Sequence, residues 1–333
     1  MTATLLAHRF RDVLAPMRET PVVPIEDPKL DLHVKLEYCN IAGSIKCRPA
    51  LWMLKSAIER GEIDEQTTLV ESSSGNFALA LAVYCRMLGL PLVPVIDPNV
   101  TRLNEAMLRS LCASVVKVVE RDDTGGFLKT RLAEVHALRE RLPRVFWPDQ
   151  YHNADAVAAH YHLTGAEIAR RFDRLDFVFL GVSTAGTIAG VSRRLKERFP
   201  SVKIIAVDTE GSVIFGGPPK RRHIPGLGSS IVPALLADAL IDDVVMVSEQ
   251  ETVLGCRTLF HRHRLFAGGS TGTVYAAIQR YFETNPCQMR PTVLFLCADR
   301  GTAYLDTVYD DTWMAGLLER DFVNGTAEHG IIR

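Results

Sequence analysis

The 333-residue chain has almost no net charge, and it lacks an uninterrupted apolar run long enough to span a bilayer. Its 38 Lys and Arg residues stand against 39 Asp and Glu residues, which gives a net charge of -1 at pH 7. This balance gives no reason to expect a nucleic acid or an anionic membrane as a partner. The 47% apolar and 23% charged residues are typical of a soluble globular protein with a large core.

Paired cysteine motifs are also absent. The chain has seven cysteines, an odd number, and no Cys-x-x-Cys occurs. This pattern predicts reduced thiols in the cytoplasm rather than a disulfide framework or a zinc site. We therefore expect a cytoplasmic protein without a metal centre. Cys47 is singled out only because it follows a candidate catalytic lysine.

Apolar segments with strand spacing alternate with segments of helical spacing along most of the chain. The expected strands are residues 32–37, 68–71, 91–96, 114–118, 176–181, 203–207, 243–247 and 292–297. The expected helices are residues 49–60, 77–88, 102–111, 127–142, 160–172, 187–199, 249–262 and 271–282. Residues 20–28 are rich in proline and are expected to be extended and irregular. This alternation predicts an α/β fold with parallel strands and helices on both faces of the sheet.

Lys46 is the candidate nucleophile of the chain. Small residues precede it in the stretch Asn40–Ala50, and a helix-compatible run with Pro49 in its first turn follows. The positive end of a helix dipole disfavours an ammonium group, so the lysine would be partly neutral. A neutral lysine attacks aldehydes. The alternative interpretation is an ordinary surface lysine beside a turn.

Three predicted helix starts are rich in glycine and hydroxylated residues: Ser72–Asn76, Ser183–Thr187 and Gly268–Gly272. Backbone N–H groups at a helix start bind phosphates and carboxylates. The alternative interpretation of the Ser72–Asn76 turn is a simple helix N-cap formed by Ser74. Anion sites of this kind together with an activated lysine favour pyridoxal phosphate, with its aldehyde on Lys46 and its phosphate at residues 183–187. His152, His160 and His162 are interpreted as structural or surface residues.

The order of these motifs resembles that of the cysteine synthase and cystathionine β-synthase family. The motifs that carry the resemblance are Thr20-Pro21, Asn40–Ala50, Ser73–Asn76, Gln150-Tyr151, Ser183–Thr187, Gly226–Gly228 and Gly269–Gly272. The resemblance implies a fold-type II pyridoxal-phosphate enzyme with two doubly wound α/β domains, similar to the tryptophan synthase β subunit. It implies a smaller domain at residues 45–150, a larger cofactor-binding domain at residues 1–44 and 151–333, a homodimer, and amino acids as small-molecule substrates.

The same resemblance assigns roles to individual residues. Lys46 would be the catalytic residue and would bind the cofactor covalently, Asn76 would bond the cofactor's 3′-oxygen, and Ser270 would face its pyridine nitrogen. The residues against its phosphate would be Ser183, Thr184, Ala185, Gly186 and Thr187. The residues that hold the substrate carboxylate would be Ser73, Ser74 and Gln150.

Within that family, the chain is most similar to the branch that makes N-(2-amino-2-carboxyethyl)-L-glutamate, a precursor of 2,3-diaminopropionate in siderophore and antibiotic biosynthesis. The features concerned are Glu71–Phe77, Asp97–Asn99, Thr124–Phe127, Arg131 and Gln150-Tyr151. The resemblance implies a β-replacement in which L-glutamate displaces the phosphate of O-phospho-L-serine.

Both substrates of that reaction carry anionic groups that need hydrogen-bond donors. Tyr151 and Ser183 are the candidates for binding the leaving phosphate, and Arg131 and Arg222 are the candidates for binding glutamate carboxylates. The alternatives are a cysteine synthase that uses O-phosphoserine or O-acetylserine with sulfide, and a non-catalytic scaffold that binds pyridoxal phosphate.

Overall fold

The computed structural model describes residues 2–14, 18–123 and 125–317. Thr124, which belongs to one of the turns named above, lies outside the described residues, as does the end of the predicted larger domain from residue 318 onward.

The described strands form two sheets. The larger contains β1 (Val22–Ile25), β2 (Asp31–Leu36), β7 (Phe177–Gly181), β8 (Lys203–Thr209), β9 (Asp243–Val247) and β10 (Thr292–Cys297). Their spatial order is β1-β2-β10-β7-β8-β9, and all neighbours are parallel except β1 and β2. The expectation of an irregular segment at residues 20–28 is wrong for β1. Pro24 is tolerated in this strand because β1 lies at the edge of the sheet.

The smaller sheet is entirely parallel. It contains β3 (Thr68–Ser72), β4 (Leu92–Ile96), β5 (Val116–Lys117) and β6 (Val145–Phe146) in the order β5-β4-β3-β6. Strand β6 was not predicted, because its two residues are too few for an alternating pattern. All four strands fall inside the predicted smaller domain, and the domain boundaries at residues 45 and 150 stay a prediction.

Helices cover these sheets. Their bounds are α1 (Thr2–Leu14), α2 (Cys47–Glu59), α3 (Asn76–Leu88), α4 (Arg102–Leu111), α5 (Leu128–Arg141), α6 (Asp155–Ala159), α7 (Ala166–Arg171), α8 (Gly186–Arg198), α9 (Glu249–His263) and α10 (Gly269–Thr284). The sequence did not predict α1. In the described part of the chain, none of the helices has the length and apolarity that a membrane crossing requires.

A π-helical turn, His160–Gly165, joins α6 to α7. The sequence predicted one regular helix that begins at residue 160, and the structure corrects both the start and the regularity. Helix α8 crosses this segment closely at two glycines. A Cβ atom at Gly190 would lie 2.3 Å from the Val157 carbonyl oxygen, and one at Gly165 would lie 2.8 Å from Arg194 Cβ. The glycines therefore let α8 approach the π-turn.

A buried cluster of charges holds the start of α2. Arg48 Nε lies 2.6 Å from Glu37 Oε2, and Arg48 Nη1 lies 2.6 Å from Glu167 Oε1 on α7. Lys35 Nζ on β2 lies 2.6 Å from Glu167 Oε2, and the Thr20 hydroxyl donates to Glu37 Oε1 at 2.7 Å. The four charged side chains are at most 8% exposed, and their formal charges cancel. Buried charges need such pairing because an isolated ion loses its hydration.

Replacing Arg48 by alanine is expected to lower the free energy of unfolding by about 3–5 kcal/mol, because it leaves Glu37 and Glu167 buried without a guanidinium. The matched control is Lys55→Ala on the same helix. This change removes the ion pair between Lys55 and Glu59, which are one helical turn apart near the surface. That change should cost less than about 1 kcal/mol. Urea unfolding of both variants makes the comparison, and equal losses would contradict a stabilising role of the cluster.

Candidate active site

A cleft of about 190 Å³ lies at the carboxyl ends of strands from both sheets. The predicted site residues that line it are Lys46, Ser73, Asn76, Gln150, Tyr151, Ser183, Thr184, Ala185, Thr187 and Ser270. Gly186 lines a small cavity that shares Lys46 and Thr187 with the cleft. The structure places Ser74, Arg131 and Arg222 outside the cleft lining.

Lys46 occupies the N-cap position of α2 and is half-buried in the cleft. Burial lowers the pKa of the Lys46 ammonium to about 8, and the nearby charge of Asp299 opposes this shift. The sequence argument attributed the lowered pKa of Lys46 to the helix dipole, whereas the main cause of this shift is loss of hydration on burial. At neutral pH a useful fraction of Lys46 is therefore an uncharged amine.

Cys47, the neighbour of Lys46, is a packed thiol. Its Sγ accepts a hydrogen bond from the Ala42 N–H at 3.3 Å, and burial raises the pKa of the thiol above its usual value. A thiol in this environment is a poor nucleophile. The structure gives Cys47 a place in the core beside the site and no contact with the cleft.

The turn before α8 has a conformation and residues that suit an anion. Ala185 adopts a left-handed conformation, with φ of 65°, which a residue with a side chain occupies at a cost of about 1–2 kcal/mol. Strain of this kind is characteristic of functional sites. The N–H groups in the first turn of α8 have no acceptor within the helix, and Thr184 and Thr187 beside them line the cleft. This arrangement suits a phosphate.

Ser183 uses its hydroxyl within the protein. Its Oγ donates to the Gly228 carbonyl oxygen at 3.2 Å, and the Gly228 N–H donates to the Val182 carbonyl oxygen at 2.9 Å. The two bonds hold the Gly226–Gly228 loop at the rim of the cleft. A serine hydroxyl has one hydrogen, so Ser183 would have to release Gly228 in order to donate to a leaving phosphate.

Asp299 is a cleft residue that the sequence argument missed. The Asn76 Nδ2 group donates to Asp299 Oδ2 at 2.7 Å, and the Tyr304 hydroxyl donates to the same oxygen at 3.1 Å. Burial raises the pKa of Asp299 to about 6, although these bonds and Lys46 favour its charged form. A signal for it exists in the sequence, because Asp299 follows strand β10 and therefore lies at the carboxyl edge of the sheet.

These observations fit pyridoxal phosphate. The cleft brings together a lysine of lowered pKa, a helix start suited to a phosphate, the amide of Asn76 and the hydroxyl of Ser270. Asp299 Oδ1 is buried without a hydrogen-bond partner in the same wall, so the described residues leave polar capacity unused beside the place of the cofactor. The donor set matches an aldehyde, a phosphate and a hydroxypyridine ring.

Ser73 and Ser74, the last two of the three serines before Asn76, make different contacts. Ser73 Oγ accepts from the N–H groups of Gly75 and Ala78, at 3.4 and 3.3 Å, and so caps the start of α3. The interpretation of Ser74 as the cap of this helix is wrong, because the N-cap residue is Gly75. Ser74 instead donates to Asp97 Oδ2 at 3.2 Å and accepts from Arg131 Nη1 at 3.3 Å.

Arg131 and Arg222 lie outside the cleft lining, and both interact electrostatically with Tyr151, which lines it. Arg131 Nε is 3.2 Å from Asp97 Oδ2. Burial raises the pKa of the Tyr151 phenol, and Arg131 opposes this rise. Arg222 Nη1 donates to the carbonyl oxygens of Gly211 and Ser229, at 2.7 and 3.2 Å. Arg222 therefore ties together the polar loop that surrounds Gly226–Gly228. Burial lowers the pKa of this guanidinium, which Asp208, Glu249 and Tyr151 oppose.

Known proteins are similar to this chain in sequence and in fold. Residues 13–299 match the family described as pyridoxal-phosphate dependent enzyme. Over 301 residues the chain is 42% identical to N-(2-amino-2-carboxyethyl)-L-glutamate synthase of Ralstonia nicotianae. The aligned residues cover 89% of this chain and 88% of that protein.

Two solved structures superpose closely. The O-acetylserine dependent cystathionine β-synthase of Helicobacter pylori has a TM-score of 0.81 and 27% identity, covering 90% of this chain and 97% of that one. A mutant O-ureido-L-serine synthase bound to O-ureido-L-serine has a TM-score of 0.82 and 28% identity, covering 92% of this chain and 97% of that one. The predicted cofactor and the predicted α/β fold are thereby confirmed. The chain belongs to the family of pyridoxal-phosphate dependent enzymes and has the fold of its cysteine synthase-like, fold-type II members.

Proposed function

We propose that the protein catalyses a β-replacement that joins L-glutamate to the three-carbon unit of O-phospho-L-serine, giving N-(2-amino-2-carboxyethyl)-L-glutamate and phosphate. The observation that carries the proposal is the Lys46 cleft with Tyr151 in its lining; Arg131 and Arg222, which lie outside that lining, interact electrostatically with Tyr151. The name of the 42% identical relative supports the same reaction. The product would serve 2,3-diaminopropionate formation for a siderophore or an antibiotic.

In the proposed reaction, Lys46 transfers the proton and the other residues of the cleft bind and orient the cofactor and substrates. When bound, pyridoxal phosphate supplies the electron sink for negative charge at the substrate Cα. Lys46 Nζ takes the proton from that carbon as general base, and a pKa of about 8 suits this role. The bond between Cβ and the phosphate oxygen then breaks, and phosphate leaves with the electron pair. The glutamate nitrogen bonds to Cβ, and Lys46 returns the proton to Cα.

Other residues bind and orient. Asn76 would hold the 3′-oxygen of the cofactor and Ser270, a neutral hydroxyl, would face its pyridine nitrogen. The residues that would hold the cofactor phosphate are Ser183, Thr184, Ala185, Gly186 and Thr187. The substrate carboxylate would lie at the start of α3, where Ser73 and Gln150 line the cleft. Ser74 would have to release Asp97 before its hydroxyl could donate to the carboxylate. Tyr151, which lines the cleft, would orient the leaving phosphate.

The nucleophile determines which synthase this is. Glutamate carries two carboxylates, whereas sulfide carries none, so a glutamate site needs cationic donors beyond the cofactor. Arg131 donates to Ser74 and pairs with Asp97, and Arg222 donates to the carbonyl oxygens of Gly211 and Ser229. These charges favour glutamate over the alternative cysteine synthase reaction.

Two further features complete the proposal. A homodimer in the cytoplasm is what the family resemblance implies for such an enzyme. The cysteines within the described residues are free, which supports a reducing compartment. Size measurement in solution tests the dimer directly.

The reaction is tested by mass spectrometry of the products. The enzyme is incubated with O-phosphoserine and glutamate, and separately with O-phosphoserine or O-acetylserine and sulfide. We expect the glutamate adduct and phosphate as the efficient products. Efficient cysteine formation without a glutamate adduct would assign the protein to the cysteine synthase alternative, and no turnover of any substrate by a protein loaded with cofactor would favour the scaffold.

Loading of the cofactor should follow the ionisation of Lys46. Only the neutral amine attacks an aldehyde, so the rate of covalent attachment should be low at pH 6.5 and should rise with pH, with a midpoint near the pKa of about 8. Rapid mixing of the cofactor-free protein with pyridoxal phosphate, followed by absorbance, measures this rate between pH 6 and 10. A midpoint near the usual lysine pKa of about 10.4 would show that the cleft does not perturb Lys46.

Arg131→Met should raise the KM for glutamate by roughly 10–150-fold, because a charge-assisted bond to a carboxylate contributes about 1.5–3 kcal/mol. The unpaired charge of Asp97 would repel the substrate further. Arg141→Met on the same helix is the matched control, since Arg141 is exposed and pairs with Glu134. Steady-state kinetics with glutamate as the varied substrate make the comparison, and an unchanged KM in Arg131→Met would remove Arg131 from the glutamate site.

A further inference from the structure

His160 is buried at the first position of the π-turn and makes two side-chain contacts. Its Nδ1 lies 2.9 Å from Thr164 Oγ1, and its Nε2 lies 3.2 Å from Thr187 Oγ1. Thr187 is one of the residues of the anion site and lines the main cleft. The interpretation of His160 as structural or surface missed this connection, because the two residues are brought together by the crossing of helices far apart in the sequence.

Close helix packing fixes the position of the ring. A Cβ atom at Gly190 would lie 2.8 Å from His160 Cβ, and one at Gly186 would lie 2.9 Å from Ala156 Cβ. The ring faces a small cavity that it shares with Lys46 and Thr187. His160 therefore has little freedom to turn away from Thr187.

The imidazole is neutral in this environment. Burial, together with the positive charges of Lys46 and Arg48, lowers the pKa of His160 well below its usual value. A neutral imidazole has one N–H donor and one acceptor nitrogen, and the two tautomers have different consequences for Thr187.

With the proton on Nε2, the ring donates to Thr187 Oγ1, and the hydrogen of Thr187 points to another acceptor. Nδ1 then accepts from the Thr164 hydroxyl. With the proton on Nδ1, Thr187 must donate its hydrogen to Nε2 and has none for an anion. A phosphate dianion only accepts hydrogen bonds, so it selects the first arrangement.

We propose that His160 is a positioning residue that holds the Thr187 hydroxyl as a donor to the cofactor phosphate, through a chain of hydrogen bonds from Thr164 to His160 to Thr187. The inference rests on the proposed role of residues 183–187 as the phosphate site. It assigns no proton transfer to His160, whose contribution is to direct one hydrogen of another residue.

The test measures the cofactor phosphate and the histidine ring, both separate from turnover. Phosphorus NMR of the loaded enzyme reports the environment of the phosphate, and equilibrium dialysis reports the affinity for pyridoxal phosphate. His160→Asn retains an amide near the position of Nδ1 but does not reach Thr187, whereas the amide of His160→Gln reaches it. His162→Asn is the matched control, because His162 is exposed and stacks on Trp52 in the same segment.

We expect His160→Asn and Thr187→Val to shift the phosphorus resonance and to weaken cofactor binding by about 10-fold. His160→Gln and His162→Asn should keep the wild-type resonance and an affinity within about 3-fold of wild type. A shift in Thr187→Val with a wild-type spectrum in His160→Asn would overturn the role of His160 and leave the phosphate site standing. If Thr187→Val itself matches wild type, the proposed phosphate site fails and the inference fails with it.

A second measurement is made on the wild-type enzyme, with a variant used to assign the resonance. Nitrogen NMR of the wild-type enzyme labelled at histidine distinguishes the tautomers of a neutral ring. We expect the loaded enzyme to carry the His160 proton on Nε2, and His160→Gln identifies the resonance by its loss. A proton on Nδ1 in the loaded enzyme would overturn the proposal, as would equal effects of the Asn and Gln variants.

Discussion

The buried charge cluster around Arg48 is the constraint on which the position of the catalytic lysine depends. Arg48 lies two residues after Lys46, and its guanidinium is fixed by Glu37 and Glu167 at 2.6–2.9 Å. On the other side of Lys46, the Ile45 N–H donates to the Ala298 carbonyl oxygen at 2.8 Å. Lys46 is thus held between the end of β10 and a neutral charge cluster. Because buried ions are costly to desolvate, we interpret the cluster as fixing one position of α2 more than as adding stability beyond that of an apolar core.

In the cleft and in the small cavity beside it, burial moves three titratable groups toward their neutral forms. The pKa of Lys46 falls to about 8, that of Asp299 rises to about 6, and that of His160 falls well below its usual value. The strong positive charges lie farther out, on Arg131 and Arg222. This division suits a reaction in which the cofactor and substrates bring several negative charges, because helix ends and neutral donors can bind the cofactor while guanidiniums bind the second substrate.

The sequence predicted the features that are formed by residues close together along the chain. The lysine stretch and the turns at strand ends have recognisable residues at fixed spacing, and most strands and helices follow from apolar periodicity. The features it missed are made by distant segments. Arg48 meets Glu167 across 119 positions, Asn76 meets Asp299 across 223, and the π-turn at His160 depends on a crossing with α8. The different hydrogen-bond partners of Ser73 and Ser74 could not be predicted from the sequence either, because both side chains carry the same hydroxyl and only the fold determines which groups each one contacts.

The central claim is that Lys46 carries the cofactor in the cleft. Borohydride reduction of the purified enzyme fixes pyridoxal phosphate to the lysine that holds it, and mass spectrometry of the digested protein identifies that residue. The account predicts a single modified peptide, the one that contains Lys46, and no retained label in Lys46→Ala. A label on another lysine, or none on a protein that has been supplied with pyridoxal phosphate, would contradict it.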